Sequence, residues 1–264
     1  MCRDMRKYTI VDYFGYNLTP TDRMKAIKAA GFDGVVVLWA DYFDDDYDRF
    51  PSYAEKAGLF VENLHMPYRG ANSLWYDNAR GQAYTESLYK GIEDCAYHGI
   101  PTVVIHPTSK GIIPLPDVPL GQTNIGIERM KRIAGLAERF EVNVAIENMQ
   151  SPEYIGYILE NVKSDRLGFC YDSGHHSCFT PDADLLTKYG HRLAALHIHD
   201  NDGTSDAHTL PFEGSINWAD IGAKIRACGY DGPCSLEAQN GGFEHITDPV
   251  EFLTIALERA KKVL

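Results

Sequence analysis

Leu193-Ala194-Ala195-Leu196-His197-Ile198-His199-Asp200 ends in alternating apolar and imidazole side chains. Successive side chains of a strand point to opposite faces, so Leu196 and Ile198 share one face while His197 and His199 share the other. The run closes on Asp200-Asn201-Asp202-Gly203, a turn signal. Asp206 and His208 follow at once, then Leu-Pro-Phe-Glu-Gly-Ser-Ile-Asn-Trp218. Three histidines and several carboxylates therefore crowd the C-terminal end of one strand. In α/β proteins with parallel strands, that end of the sheet is where ligands bind.

Outward from this stretch, strand and helix patterns alternate. Strands are expected over 8–16, 34–39, 59–65, 102–106, 142–147, 167–172, 193–199 and 233–237. Residues 34–39, Gly-Val-Val-Val-Leu-Trp, form the unbroken apolar run of a strand buried on both faces. Helices are expected over 19–30, 49–57, 78–98, 124–140, 152–161, 181–189, 218–227 and 249–263, with Gly31, Gly58, Gly99 and Gly229 as stops. Residues 107–121 carry four prolines and read as a loop. Eight strand–helix units without a composition break predict an α/β fold of one domain, a (β/α)8 TIM barrel over residues 1–264. A doubly wound sheet is the alternative, but eight parallel strands at this regular spacing favour closure.

With 264 residues and 44% hydrophobic content, the chain can bury a sizeable core. No apolar run is long enough to span a bilayer, and the start, Met-Cys-Arg-Asp-Met-Arg-Lys, lacks an apolar signal core. The six cysteines are scattered without zinc-ribbon spacing, which implies reduced thiols and a cytoplasmic location. A formal net charge of −12 opposes nucleic acid and anionic membrane as partners.

The strand ends carry the chemistry. The third strand ends at His65, the fourth at His106, the fifth at Glu147, the sixth at Asp172 and the eighth at Glu237. The seventh carries His197 two residues before its last, and His175 follows Asp172 as Asp-Ser-Gly-His. A single histidine at a strand end is more often a hydrogen-bonded core residue than a ligand. Six ends converging on one mouth are different. Glu147, Asp172 and Glu237 would repel one another severely without a cation, because burying an unpaired carboxylate costs several kcal/mol or more. Mixed imidazole and carboxylate donors suit Zn²⁺, Mn²⁺ or Fe²⁺ rather than Ca²⁺. The acidic stretch 41–48 reads as a solvated loop, and His98, His176, His191 and His245 as surface residues. Trp39 ends the second strand, where a substrate platform and a packing role are equally open.

With these residues placed, the chain resembles the xylose isomerase-like TIM barrels over nearly its whole length. The resemblance rests on His65-Met-Pro-Tyr68, Val-Ile-His106-Pro, Ala-Ile-Glu147-Asn148, Cys-Tyr-Asp172-Ser-Gly-His175, Leu-His197-Ile-His199-Asp200, Asp206-Ala-His208, Glu213-Gly-Ser-Ile-Asn-Trp218 and Ser-Leu-Glu237. Two branches of that superfamily imply different subsets. The sugar epimerases and isomerases imply one divalent ion, often Mn²⁺, on Glu147, Asp172, His197 and Glu237, with His175 as a substrate contact. Endonuclease IV implies three zinc ions on His65, His106, Glu147, Asp172, His175, His197, Asp206, His208 and Glu237.

The ligand inventory leans toward the nuclease, and the charge leans away from it. A nuclease must neutralise several phosphates with Lys and Arg around its mouth. The loop after the second strand reads Ala40-Asp-Tyr-Phe-Asp-Asp-Asp-Tyr-Asp48, and Asp202 and Asp206 lie on another rim loop. The expectation is therefore a metal-dependent isomerase or epimerase of a small sugar or polyol, with one to three Zn²⁺ or Mn²⁺ ions. Glu147 and Glu237 would be the acid/base pair, and His175, His199 and Trp39 the substrate contacts. Arg69 and Lys110 sit on loops able to reach the mouth, which leaves a phosphorylated sugar open. A keto-polyol dehydratase and a trinuclear zinc phosphodiesterase are the alternatives, and assembly into a homo-oligomer is open.

Overall fold

The computed structural model describes residues 6–40 and 46–264. Asp41, Asp44 and Asp45 of the acidic loop, and Cys2, lie outside the described residues.

Eight parallel strands run β1 (Tyr8–Val11), β2 (Gly34–Leu38), β3 (Phe60–His65), β4 (Thr102–Ile105), β5 (Asn143–Glu147), β6 (Leu167–Asp172), β7 (Leu193–His197) and β8 (Cys234–Leu236). Their order is β7-β6-β5-β4-β3-β2-β1-β8. The seam between β7 and β8 closes through one parallel bridge, Ile198 to Leu236. The result is a single TIM-barrel domain. Around it lie α1 (Pro20–Ala30), α2 (Phe50–Ala57), α3 (Ala79–His98), α4 (Leu120–Phe140), α5 (Glu153–Asn161), α6 (Ser173–Phe179), α7 (Leu185–Tyr189), α8 (Trp218–Ala227) and α9 (Pro249–Val263). No helix among the described residues is long and apolar enough to cross a membrane, and the five cysteines among them are free.

Strand alternation sorts side chains into two layers. Val103, Ile105, Val144, Ile146, Phe169, Tyr171, Leu196 and Ile198 face outward and join the helices in one continuous apolar core. The inward positions two residues before the ligand-type strand ends are small: Val104, Ala145, Cys170 and Ala195 form a separate buried cluster. A (β/α)8 interior is ordinarily filled by bulky branched side chains. Here the lower layer is thin, so long polar side chains meet above it. A bulge in β3 adds to this. Val61 pairs with Val35 and Asn63 with Val36, leaving Glu62 as the extra residue.

Local chemistry explains the helix limits. The Thr19 hydroxyl accepts the Asp22 N–H at the start of α1, and Gly31 ends it at φ 99°. Four elements differ from expectation. β1 stops at Val11, because the chain turns out at Asp12, whose carboxylate accepts the Leu38 N–H. α6 was not anticipated; Asp172 caps it by accepting the His175 N–H. Only 185–189 of the expected 181–189 helix forms, and α4 starts at Leu120, inside the proline-rich loop.

Candidate metal centre and active site

The mouth at the C-terminal strand ends opens on a cavity of about 380 Å³ whose lining includes His65, His106, His175, Asp206, His208 and Glu237. Glu147 sits at its floor, fully buried, as the hub. His106 Nε2 lies 2.9 Å and His65 Nε2 3.1 Å from its Oε2, and the Nδ1 atoms of His175 and His197 each lie 3.2 Å from its Oε1. His197 Nδ1 also lies 2.8 Å from Glu237 Oε2, so the carboxylates of β5 and β8 meet at one imidazole of β7.

A second cluster forms beside the first. His175 Nε2 lies 3.3 Å and His208 Nε2 3.4 Å from Asp206 Oδ2. His199 Nε2 lies 3.1 Å from the Asp172 carboxylate and 3.8 Å from Asp206 Oδ1. The His199 and His208 rings stack with centroids 4.1 Å apart and planes at 9°. All nine residues expected as ligands thus form one connected network. Donor atoms within 4.8 Å of one another define three groups: His65/Glu147/His197/Glu237, Glu147/Asp172/His175 and His175/His199/Asp206/His208. Glu147 belongs to the first two and His175 to the last two. His199, expected as a substrate contact, stands among the donor atoms of the third group.

Several of the close contacts are poorly aligned as hydrogen bonds. His106 Nε2, His197 Nδ1, Glu147 Oε1 and Glu237 Oε2 are buried without an acceptably angled partner, despite separations of 2.8–3.2 Å. Donor atoms aimed at a shared point, rather than at each other, give this pattern. Ligands about 2.0–2.2 Å from a zinc ion sit roughly 3–3.5 Å from one another. The residues therefore fit a divalent ion.

Electrostatics agree. Burial raises the Glu147 carboxyl, but the imidazoles of His106 and His197 outweigh it and hold it well below the usual range. Burial and His197 act the same way on Glu237, again with a net depression. Burial lowers His197, yet Cys170, Glu147 and Glu237 carry it well above the ordinary histidine value; His175 follows through Asp172 and Asp206. His106 goes the other way, with burial dominant. Burial lowers His208 too, but Asp206 lifts it to about 9. Without metal, protons hold this cluster of charges together.

Supporting residues fix the geometry. Asn148 bonds the Asp172 backbone in both directions, 2.8 Å and 2.9 Å, and so ties the end of β5 to that of β6. Asp200, buried just past β7, accepts the N–H groups of Asn201, Phe212 and Ile216 and the Trp218 indole at 2.8–3.2 Å. It anchors the loop that carries Asp206 and His208. Both are polar residues one to three positions beyond a strand end, a signal that could have marked them.

Other expectations resolve differently. Trp39 is not at the mouth: Leu38 before it faces the cavity, so Trp39 turns outward and donates its indole N–H to Asp94 of α3 at 2.9 Å. This is the packing alternative. Arg69 and Lys110 do not line the cavity; Arg69 borders a separate surface groove. Asp206 is not a free rim charge, since its side chain turns in to His175 and His208. His98 and His176 are half-buried rather than on the surface, with His176 Nδ1 2.7 Å from the Tyr171 hydroxyl; His191 and His245 are exposed. Tyr13 and Tyr68 flank the cavity with exposed rings, a feature alternation alone could not assign.

Comparison with known proteins completes the picture. A fructoselysine 3-epimerase of Escherichia coli O157:H7 is 33% identical over 84 residues, 32% of this chain and 30% of that protein. A probable endonuclease 4 of Mycoplasma mycoides subsp. mycoides SC is 24% identical over 189 residues, 63% of this chain and 61% of that protein. The leading curated relatives are matched over 56% and 64% of their own length. A solved D-tagatose 3-epimerase-like protein superposes with a TM-score of 0.76 at 22% identity, over 97% of this chain and 98% of the other, a likeness of fold. The sequence profile of the xylose isomerase-like TIM barrel family matches residues 24–257, and the chain belongs to that family.

Proposed function

We propose that this protein is a divalent-metal-dependent epimerase or isomerase of a small sugar or polyol, with Glu147 and Glu237 as the proton-transfer pair. One observation carries the reading: Glu147 at the end of β5 and Glu237 just past β8 converge on the His197 imidazole, beneath a cavity of about 380 Å³ that Glu237 lines. When bound, a divalent ion on Glu147, Asp172, His197 and Glu237 supplies Lewis-acid stabilisation of negative charge on substrate oxygen.

The residues perform the rest. One glutamate, as carboxylate, takes the proton from the carbon next to the substrate carbonyl. The C–H electron pair moves into the carbon–carbon bond and the carbonyl pair onto oxygen, giving an enediolate. The other glutamate passes a solvent proton to carbon on the opposite face, and the carbonyl reforms with inverted configuration. Well-placed acid–base groups of this kind contribute about 10²–10⁴-fold in rate. His175 holds a substrate hydroxyl, and Tyr13 and Tyr68 present ring faces to its apolar side. Return of the proton to the neighbouring carbon gives isomerisation instead.

A second reading, zinc-dependent phosphodiester hydrolysis, is favoured by three adjoining donor groups that take in eight of the nine ligand-type residues, with His106 joined to them through Glu147. The acidic rim, including Asp48 and Asp202, disfavours a DNA backbone. The two separate in one experiment. The protein is incubated with Mn²⁺ or Zn²⁺ in deuterated water with either a ketose panel or an abasic-site duplex. Solvent deuterium at a sugar carbon is the expected result. Incision of the duplex at physiological salt, with no exchange into any sugar, overturns the proposal.

A further inference from the structure

Below the mouth lies a carboxyl group that proton transfer does not use. Glu62, the extra residue of the β3 bulge, is 6% exposed, burial pushes its carboxyl up, and among the described residues no cationic side chain pairs with it. Its Oε2 accepts the hydroxyls of Thr9 on β1 and Ser235 on β8. Thr9 and Ser235 lie two positions before Val11 and Glu237, which line the cavity, so both face the barrel interior one layer down. Asn63 beside it is fully buried against the Glu62 carboxyl, and among the described residues neither its Oδ1 nor its Nδ2 has a well-angled hydrogen bond. Burying a polar group without a hydrogen-bond partner is costly.

A third unpaired group faces the same interior. His197 points Nδ1 at the glutamates of the mouth, which turns Nε2 the other way, and Nε2 is buried without a partner. The His197 ring stacks on that of His65, 5.1 Å between centroids, so it reaches across to β3. Glu62 and His197 sense each other electrostatically. The Cys170 thiol also reaches this imidazole, and burial pushes it up to about 12 and so keeps it neutral. The layer between includes the short side chains of Ala145 and Ala195. Polar, roomy interiors with several orphaned groups are where proteins hold ordered water.

We propose that Glu62 is a positioning residue for His197: with Asn63 it holds ordered water that accepts the hydrogen on His197 Nε2, leaving Nδ1 as a bare lone pair aimed at the mouth. This rests on His197 being a metal ligand. Ligating histidines almost always donate their second N–H to a carboxylate, carbonyl or water, and loss of that partner weakens metal binding by about 10–100-fold.

The test combines a crystal structure that resolves ordered water with calorimetric Zn²⁺ affinities for wild type, Glu62→Gln, Glu62→Leu and Cys170→Ala. Melting temperatures in chelator serve as the folding control. Water bonded to both the Glu62 carboxylate and His197 Nε2 is expected. So is a loss of Zn²⁺ affinity of about 10–100-fold in Glu62→Leu, with Glu62→Gln between it and wild type. A dry interior overturns the proposal, as does unchanged affinity in folded Glu62→Leu, or a loss confined to Cys170→Ala. If wild type binds no divalent ion, the metal reading falls, and the water between Glu62 and His197 still decides this contact.

Discussion

Gly174 shows how one atom sets the site. A Cβ there would lie 1.9 Å from His199 Cε1, so the glycine is the space that the imidazole occupies. Alanine at this position must push His199 off its stack with His208. Overpacking of this kind typically costs about 1–3 kcal/mol. Gly174→Ala is therefore expected to lower the melting temperature in chelator. It should also abolish metal binding at His175/His199/Asp206/His208, while His65/Glu147/His197/Glu237 keeps its ion. Elemental analysis of zinc per chain, wild type against variant, reads this directly; an unchanged ratio counts against that third group as a metal site. The ligand-type residues themselves were legible in the sequence because strand alternation and strand ends together give direction and depth. Trp39 was not, although the same alternation, counted from Leu38, places it outside. Gly174 stood in a quoted motif, but a residue that matters by its missing atom leaves no chemical mark. Glu62 was hidden for a related reason: a bulge shifts the period by one, and no pattern of twos anticipates it.

At the scale of elements, the segment from Asp200 to Trp218 is a long loop built around one carboxylate. Asp200 takes four N–H groups, and its backbone pairs with Thr209 in both directions, at 2.8 Å and 3.0 Å. This holds His208 and Phe212 at positive φ, 47° and 75°, a strained backbone for non-glycine residues. Asn at 200 would set an N–H₂ against donors that need an acceptor, and each donor left unpaired costs about 1–3 kcal/mol. Asp200→Asn is expected to release the loop, so that Asp206 and His208 no longer reach His175. Limited proteolysis between 201 and 217, fast in the variant and slow in wild type, is the check; equal rates would show that the loop is held by other means. The strands and most helices were readable because apolar periodicity and glycine stops are local signals. α6 was not, since its start is a capping bond from Asp172, a residue that reads first as a ligand. β1 ran long in the sequence because Tyr13, Phe14 and Tyr16 keep a strand-like composition after the backbone has turned away.

For the molecule as a whole, the charge cluster makes stability depend on pH in opposite ways with and without metal. His208 is raised from 6.5 to about 9, and His175 and His197 are raised as well. A raised histidine binds its proton more tightly in the folded state. Its contribution is complete below the unfolded value and is lost as pH climbs through the folded one. In chelator, the melting temperature should therefore fall between about pH 6.5 and pH 9. With Zn²⁺ present the stabilisation by metal should grow over the same interval, because ligands must shed protons to bind. Parallel curves in the two conditions would separate these histidines from any metal. The barrel seam adds a mechanical side to this. β7 and β8 hold together at their ends by Ile198 N–H to Ser235 carbonyl, 2.8 Å, and Glu237 N–H to Ile198 carbonyl, 3.1 Å. The bracket formed by His197 and Glu237 spans that same join. An ion gripped by both would act as a clasp on the weakest stave of the barrel, so loading the site and latching the cylinder become one event. Amide hydrogen exchange at Ile198 and Glu237 should then slow on adding Zn²⁺ far more than exchange at Val103 of β4, across the barrel from the seam; a uniform change would mean the join is already shut.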